Sequence, residues 1–112
     1  MKYNIDNIIV PFELALELKH KQFPSKAFGN FYNSSGIFCD KVASHSIYGP
    51  YAPSISEVRS WLREKYNIKL RIIKKKKFSI VISYGTKLKI FEDIPSYKEA
   101  WIIGINESLK LI

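Results

Sequence analysis

The chain has 112 residues, 46% of them hydrophobic, which suits one folded domain with one core and argues against a disordered chain. Eighteen Lys and Arg stand against ten Asp and Glu, a formal net charge of +8, and the pI near 9.6 fits an anionic partner. A single cysteine, Cys39, excludes an intrachain disulfide. No apolar run nears bilayer length and no cationic start precedes an apolar core, so the expectation is a soluble cytoplasmic protein without a membrane role.

Pro11–Lys21 predicts the first helix, since proline at the first helical position loses no hydrogen bond. Phe12, Ala15, Leu16 and Lys19 fall on one stripe, Leu14 and Leu18 widen it, and Pro24 ends it. Phe28–Tyr32 and Ile37–Cys39 read as a hairpin around Asn33-Ser34-Ser35-Gly36. Asp40–Ala52 has Ser, Gly and Pro but little period. It reads as a long loop and so as a candidate functional segment, with Tyr48 and Tyr51 flanking Gly49-Pro50.

Ser54-Ile55-Ser56-Glu57 matches the capping box and opens a second helix. Ile55, Val58, Leu62 and Tyr66 form its apolar face, Arg59 and Arg63 lie opposite, and Asn67 is the expected stop. Three strands follow as an antiparallel meander, Ile68–Ile73, Phe78–Tyr84 and Lys87–Phe91, with turns at Lys74–Lys77 and Gly85-Thr86. Alternation places Phe78, Ile80, Ile82 and Tyr84 inward. It also suggests Leu88 and Ile90 inward with Lys87 and Lys89 outward. Ser96-Tyr97-Lys98-Glu99 starts the last helix, whose Tyr97, Ala100, Trp101, Gly104 and Leu111 are apolar and whose Ile102, Ile103 and Ile105 extend that surface nearly all round. It reads as a central core helix, or as one that also meets another chain. The expected fold is a single α+β domain spanning 1–112, helix-hairpin-helix-meander-helix, with the helices on one face of the sheet.

The charge is segregated. From Val58 to Phe91 eleven basic residues meet one acid, Glu64, so this window carries +10 and the remainder −2. The candidate binding residues are Arg59 and Arg63 on the helix, Lys69, Arg71, Lys87 and Lys89 on the sheet, and Lys74, Lys75, Lys76 and Lys77 at a hairpin tip. Around a centre of Ser79, Val81 and Ser83 they would form a face able to take a phosphate backbone or an acidic protein surface. The plainer reading is a solvated face that keeps the chain soluble. The meander's aromatics point inward, which disfavours base stacking.

Catalytic chemistry has little to work with. His20 and His45 are the only histidines, and Cys39 with His45 is the one conceivable nucleophile–base pair. One cysteine and two histidines do not supply a metal site, and no glycine-rich phosphate loop is present. No catalytic residue, metal or cofactor is therefore expected.

Three segments form a wider pattern: Val10-Pro11-Phe12-Glu13-Leu14-Ala15-Leu16-Glu17-Leu18-Lys19, then Ala52-Pro53 before Glu57-Val58, then Trp61-Leu62-Arg63-Glu64-Lys65-Tyr66-Asn67-Ile68. With Ser96-Tyr97-Lys98-Glu99-Ala100 and Leu109-Lys110-Leu111-Ile112, the chain resembles a group of small phage and mobile-element proteins of Bacteroidota-type bacteria. The resemblance covers about half of the chain. It brings no catalytic residues, and it leaves out Lys74–Lys77 and Ser44–Pro50. By analogy with anti-CRISPR proteins, it implies a non-enzymatic inhibitor of a host defence system. Such an inhibitor would bind an RNA-guided nuclease, its ribonucleoprotein or its guide RNA. The alternative is a general RNA- or DNA-binding accessory protein. The sequence leaves the oligomeric state open.

Overall fold

The first capping box forms in full and the second in its serine half. In the computed structural model, which describes residues 5–112, Ser54 Oγ accepts from the Glu57 N–H at 3.2 Å. Glu57 Oε2 accepts from the Ser54 N–H at 2.8 Å, closing the box. Ser96 Oγ accepts from the Glu99 N–H at 3.1 Å, the serine half of the second box. The elements run α1 (Phe12–His20), β1 (Phe28–Tyr32), β2 (Phe38–Ala43), α2 (Ile55–Tyr66), β3 (Ile68–Lys74), β4 (Phe78–Tyr84), β5 (Lys87–Ile94) and α3 (Tyr97–Leu109). This is an α+β domain with two antiparallel sheets, β1-β2 and β3-β4-β5.

Asn67 stops α2 in the left-handed region, φ +55, with its N–H on the Arg63 and Leu62 carbonyls, and the chain turns straight into β3. α3 crosses β3, β4 and β5, and α1 and α2 pack against it, so α3 takes the central core role. Leu14, Leu18, Ile55, Val58, Leu62, Ile68, Leu70, Ile80, Ile82, Trp101 and Ile105 join one buried cluster. Gly104 permits the close approach of α3 to β4: a Cβ there would lie 2.7 Å from Ile80 Cγ1.

Three expectations need correction. Pro11 is the N-cap of α1 rather than its first helical residue, and the buried stripe is Leu14, Ala15 and Leu18, with Leu16 exposed. The segment read as a loop from Asp40 is partly strand: β2 runs to Ala43, and a 3₁₀ turn follows at Ser44–Ser46. The chain then lies along β1, with Tyr32 N–H on Pro50 O at 3.0 Å, Ala52 N–H on Asn30 O at 2.8 Å and a bridge from Phe31 to Tyr51. Gly49 passes so close to β1 that a Cβ would sit 1.8 Å from Tyr32 O. Backbone pairing, invisible in side-chain period, ties this segment down.

The third correction reverses β5. Tyr84 pairs with Lys87, Ser83 with Leu88, Ile82 with Lys89 and Val81 with Ile90. Directly opposed residues of an antiparallel pair share a face. Leu88 and Ile90 therefore belong to the outer face with Ser83 and Val81, not to the core. They are 60% and 53% exposed. Lys87 and Lys89 lie on the helix-covered side, at its rim. The cause is the two-residue turn: Gly85, φ +61, and Thr86 place Lys87 opposite Tyr84, so the strand begins on the inner face. Phe91 follows by alternation on the inner side opposite Ile80, and an extra residue in β5 between Phe91 and Ile94, with Asp93 at φ +60, then brings Ile94 to the same side opposite Phe78.

Candidate partner-binding face

The outer face is built strand by strand from the pairing. β3 contributes Lys69, Arg71 and Ile73, β4 contributes Ser83, Val81 and Ser79, and β5 contributes Leu88 and Ile90. Lys69 and Arg71 are exposed, while Val81 between its neighbours is only 4% exposed. The face is thus divided: cations along β3, a small polar and apolar centre, and bare aliphatic side chains along β5.

The register of α2 brings two further cations to the β3 side. Arg59 and Arg63 stand one turn apart. With Ile68, Lys69, Leu70, Arg71 and Ser83 they line a cleft of about 280 Å³ around the edge of β3. Arg59 Cζ lies 5.5 Å from the centroid of Trp101, which holds the guanidinium against α3. The ion pairs of the described residues are Lys26 with Glu57 and Lys110 with Glu107, so none of the four cleft cations has a carboxylate partner. Four close, unneutralised cations with one hydroxyl suit a carboxylate pair or a phosphate.

The capping residue anchors this arrangement. Glu57 accepts from the Tyr51 hydroxyl at 2.8 Å and meets Lys26 Nζ at 3.1 Å. Burial pushes the Glu57 carboxyl up, but the Ser54 N–H, the Tyr51 hydroxyl and Lys26 together outweigh it and hold the group below the ordinary glutamate value. The same contacts fix the α2 N-terminus and the Tyr51 segment to each other.

The ten candidate cations therefore separate into three groups. Arg59, Arg63, Lys69 and Arg71 converge. Lys74 closes β3 opposite Phe78, its Nζ 5.6 Å from that ring, and Lys75, Lys76 and Lys77 form an exposed tip beyond it. Lys87 and Lys89 sit on the far edge strand and on the other side of the sheet. The face also contains Leu88 and Ile90, which alternation alone assigns to the core. The turn at Gly85-Thr86 was the signal that places them outside.

A groove of about 860 Å³ lies elsewhere, between α1 and α3. Glu13 and Glu17 face Lys21 and Lys110 there, and Lys21 Nζ donates to Ile112 O at 2.8 Å. Its mixed charges favour no ligand class. Cys39 Sγ is 3.6 Å from Ile37 O, and His45 is exposed in the 3₁₀ turn. Among the described residues no group of three His, Cys, Asp or Glu could hold a metal, and no helix is long and apolar enough to cross a membrane. Compared with known proteins, the chain matches no family model, no curated protein and no solved structure.

Proposed function

We propose that this protein is a non-enzymatic inhibitor that docks on a host defence nuclease, or on its ribonucleoprotein, through the outer face of β3-β4-β5 and the adjoining arginines of α2. One observation carries the reading: unneutralised cations and exposed aliphatic side chains share one sheet face. A phosphate backbone rewards cations alone, whereas protein interfaces combine an apolar centre with a polar rim rich in arginine. Lys69, Arg71, Arg59 and Arg63 would meet carboxylates, and Leu88 and Ile90 would cover an apolar ridge. The nuclease as partner rests on the resemblance to phage and mobile-element proteins.

Affinity capture from host lysate tests it, with mass spectrometry to identify what is retained. The purified chain is expected to enrich a defence nuclease component. Lys69→Glu with Arg71→Glu, and separately Leu88→Ser with Ile90→Ser, are each expected to lose it. Recovery of no defence component, or equal recovery by both double variants, would end the proposal.

The general RNA- or DNA-binding role is the second reading, favoured by the four-cation cleft with Ser83 beside it. It predicts a mobility shift of RNA or DNA at low salt by the isolated chain, weakening steeply as salt rises. Absence of that shift at low salt removes it.

A further inference from the structure

Among the described residues β5 is an edge strand that pairs only with β4. Lys87, Leu88, Lys89, Ile90, Glu92 and Asp93 are all exposed, unlike the alternating burial of the other edge, β3. An edge strand keeps a row of unpaired N–H and C=O groups, which pairs with any strand of fitting register and charge. β5 carries both halves of that fit. Its first half bears two cations, Lys87 and Lys89, and its second half bears two anions, Glu92 and Asp93.

We infer that β5 pairs with the β5 of a second copy of this chain, antiparallel about Ile90, to give a two-fold dimer with a continuous six-stranded sheet. A two-fold axis normal to the sheet sets one residue opposite its own copy. Centred on Ile90, the pairing sets Ile90 against Ile90 and brings Lys87 of each copy level with Asp93 of the other. Centred on Lys89, it would set like charges directly opposite, which is unfavourable. Centred on Phe91, it would need the backbone beyond the bulge at Asp93. The register about Ile90 avoids the like-charge pairs and meets the bulge only in its outermost pairs.

The arrangement also accounts for the bare aliphatic pair. The axis normal to the sheet keeps both outer faces on one side, so Leu88 and Ile90 of the two copies form one apolar stripe across the dimer centre. The cationic β3 strands lie at its two ends, five strand spacings or about 24 Å apart. Pairing uses the backbone of β5 and leaves its outward side chains on the face, so dimerisation does not depend on the identity of any other partner.

The test is the mass of the full chain in solution, by sedimentation or light scattering at sub-millimolar concentration. The expected result is a shift from 13.0 kDa to twice that value, reversed by Ile90→Lys, which sets two like charges opposite each other. A second measurement reads the register. In a Cys39→Ser background, Ile90→Cys is expected to oxidise to a covalent dimer, because the two Cα atoms lie at cross-strand distance. Leu88→Cys, equally exposed, would stand about 14 Å from its copy and should stay monomeric, beyond disulfide reach. A wild-type chain that remains at 13.0 kDa overturns the inference. So does a dimer that survives Ile90→Lys, or one in which Leu88→Cys links as readily as Ile90→Cys.

Discussion

The facing of β5 decides what the outer sheet surface is made of, and stability measurements on Leu88 can check it. A leucine fully buried contributes about 1.5–3 kcal/mol over an exposed one. Leu88 keeps 60% of its surface in water, so less than half of that contribution is available. No cavity forms on truncation, because its neighbours on one side are solvent. Leu88→Ala should therefore cost under about 1 kcal/mol. Ile82, on the same sheet but 1% exposed, supplies the contrast: Ile82→Ala should cost about 2–5 kcal/mol through lost burial and a cavity beneath α3. Urea unfolding of both variants, at a concentration that keeps the chain monomeric, gives the two values directly. Equal slopes with different midpoints would show that stability alone has changed. A loss above about 2 kcal/mol for Leu88→Ala would put Leu88 in the core and refute the reversed face, because only a buried leucine loses that much.

Gly104→Ala sets two effects against each other. Alanine in a helix interior gains about 1 kcal/mol over glycine, but the new Cβ meets Ile80 Cγ1 at 2.7 Å, and Ile80 is fully buried with no room to move. Overpacking of this kind costs about 1–3 kcal/mol, so the net is a loss, read as a lower urea midpoint. A variant as stable as wild type would mean that α3 can lift from β4. For Glu57 the folded carboxyl lies below its unfolded value, so its contribution is complete above the unfolded value and is lost as pH falls through the folded one. Melting temperature followed from neutral pH downward should fall through the acid range. Glu57→Gln should flatten that fall while costing about 0.5–2 kcal/mol at neutral pH through the weakened cap. An unchanged acid limb in the variant would remove Glu57 from the account.

Much of the fold was legible because its signals are local. The Ser54 and Glu57 box, Asn67 in the left-handed stop and the alternation of Phe78, Ile80 and Ile82 each act over a few residues, and each appears where read. Two features were not legible from period alone. Tyr51 and Ala52 join β1 through main-chain bonds with partners twenty residues away, and a run of Ser, Gly and Pro carries no trace of them. In β5, Lys and Leu alternate cleanly, but alternation fixes only that neighbours face opposite ways. It does not say which set faces the core. Burial normally breaks that tie, and it fails on an open edge where neither side is well covered. The hairpin turn breaks it instead. Tyr84 is inward, two residues make the turn, and Lys87 must then be inward as well.

That reversal changes the electrostatics of any ligand on the face, and the change is measurable. With Lys87 and Lys89 removed to the other side, Lys74 turned to that side beside Phe78 and the Lys75–Lys77 tip standing beyond the strand, four cations remain where a polyanion could lie: Arg59, Arg63, Lys69 and Arg71. Each phosphate neutralised on a single strand releases counterions worth a slope of about −0.7 in log K against log salt, and about −0.9 on a duplex. A site limited to these four cations therefore predicts a slope no steeper than about −3 for single-stranded RNA and about −4 for duplex DNA. All ten basic residues acting together would give about −7 to −9. Binding of RNA and DNA oligonucleotides across a salt series separates the two arrangements. A slope near the steeper values would require the lysine tip to join the site together with Lys87 and Lys89, which the register turns to the other side of the sheet. A slope near the shallower values, lost in Lys69→Glu with Arg71→Glu and unaffected by Leu88→Ser with Ile90→Ser, would make the ligand a phosphate backbone. Sensitivity to both pairs of substitutions, with weak salt dependence, is the signature of an acidic protein surface with an apolar ridge. Leu88 and Ile90, the residues that alternation places inside, are the ones that distinguish the two.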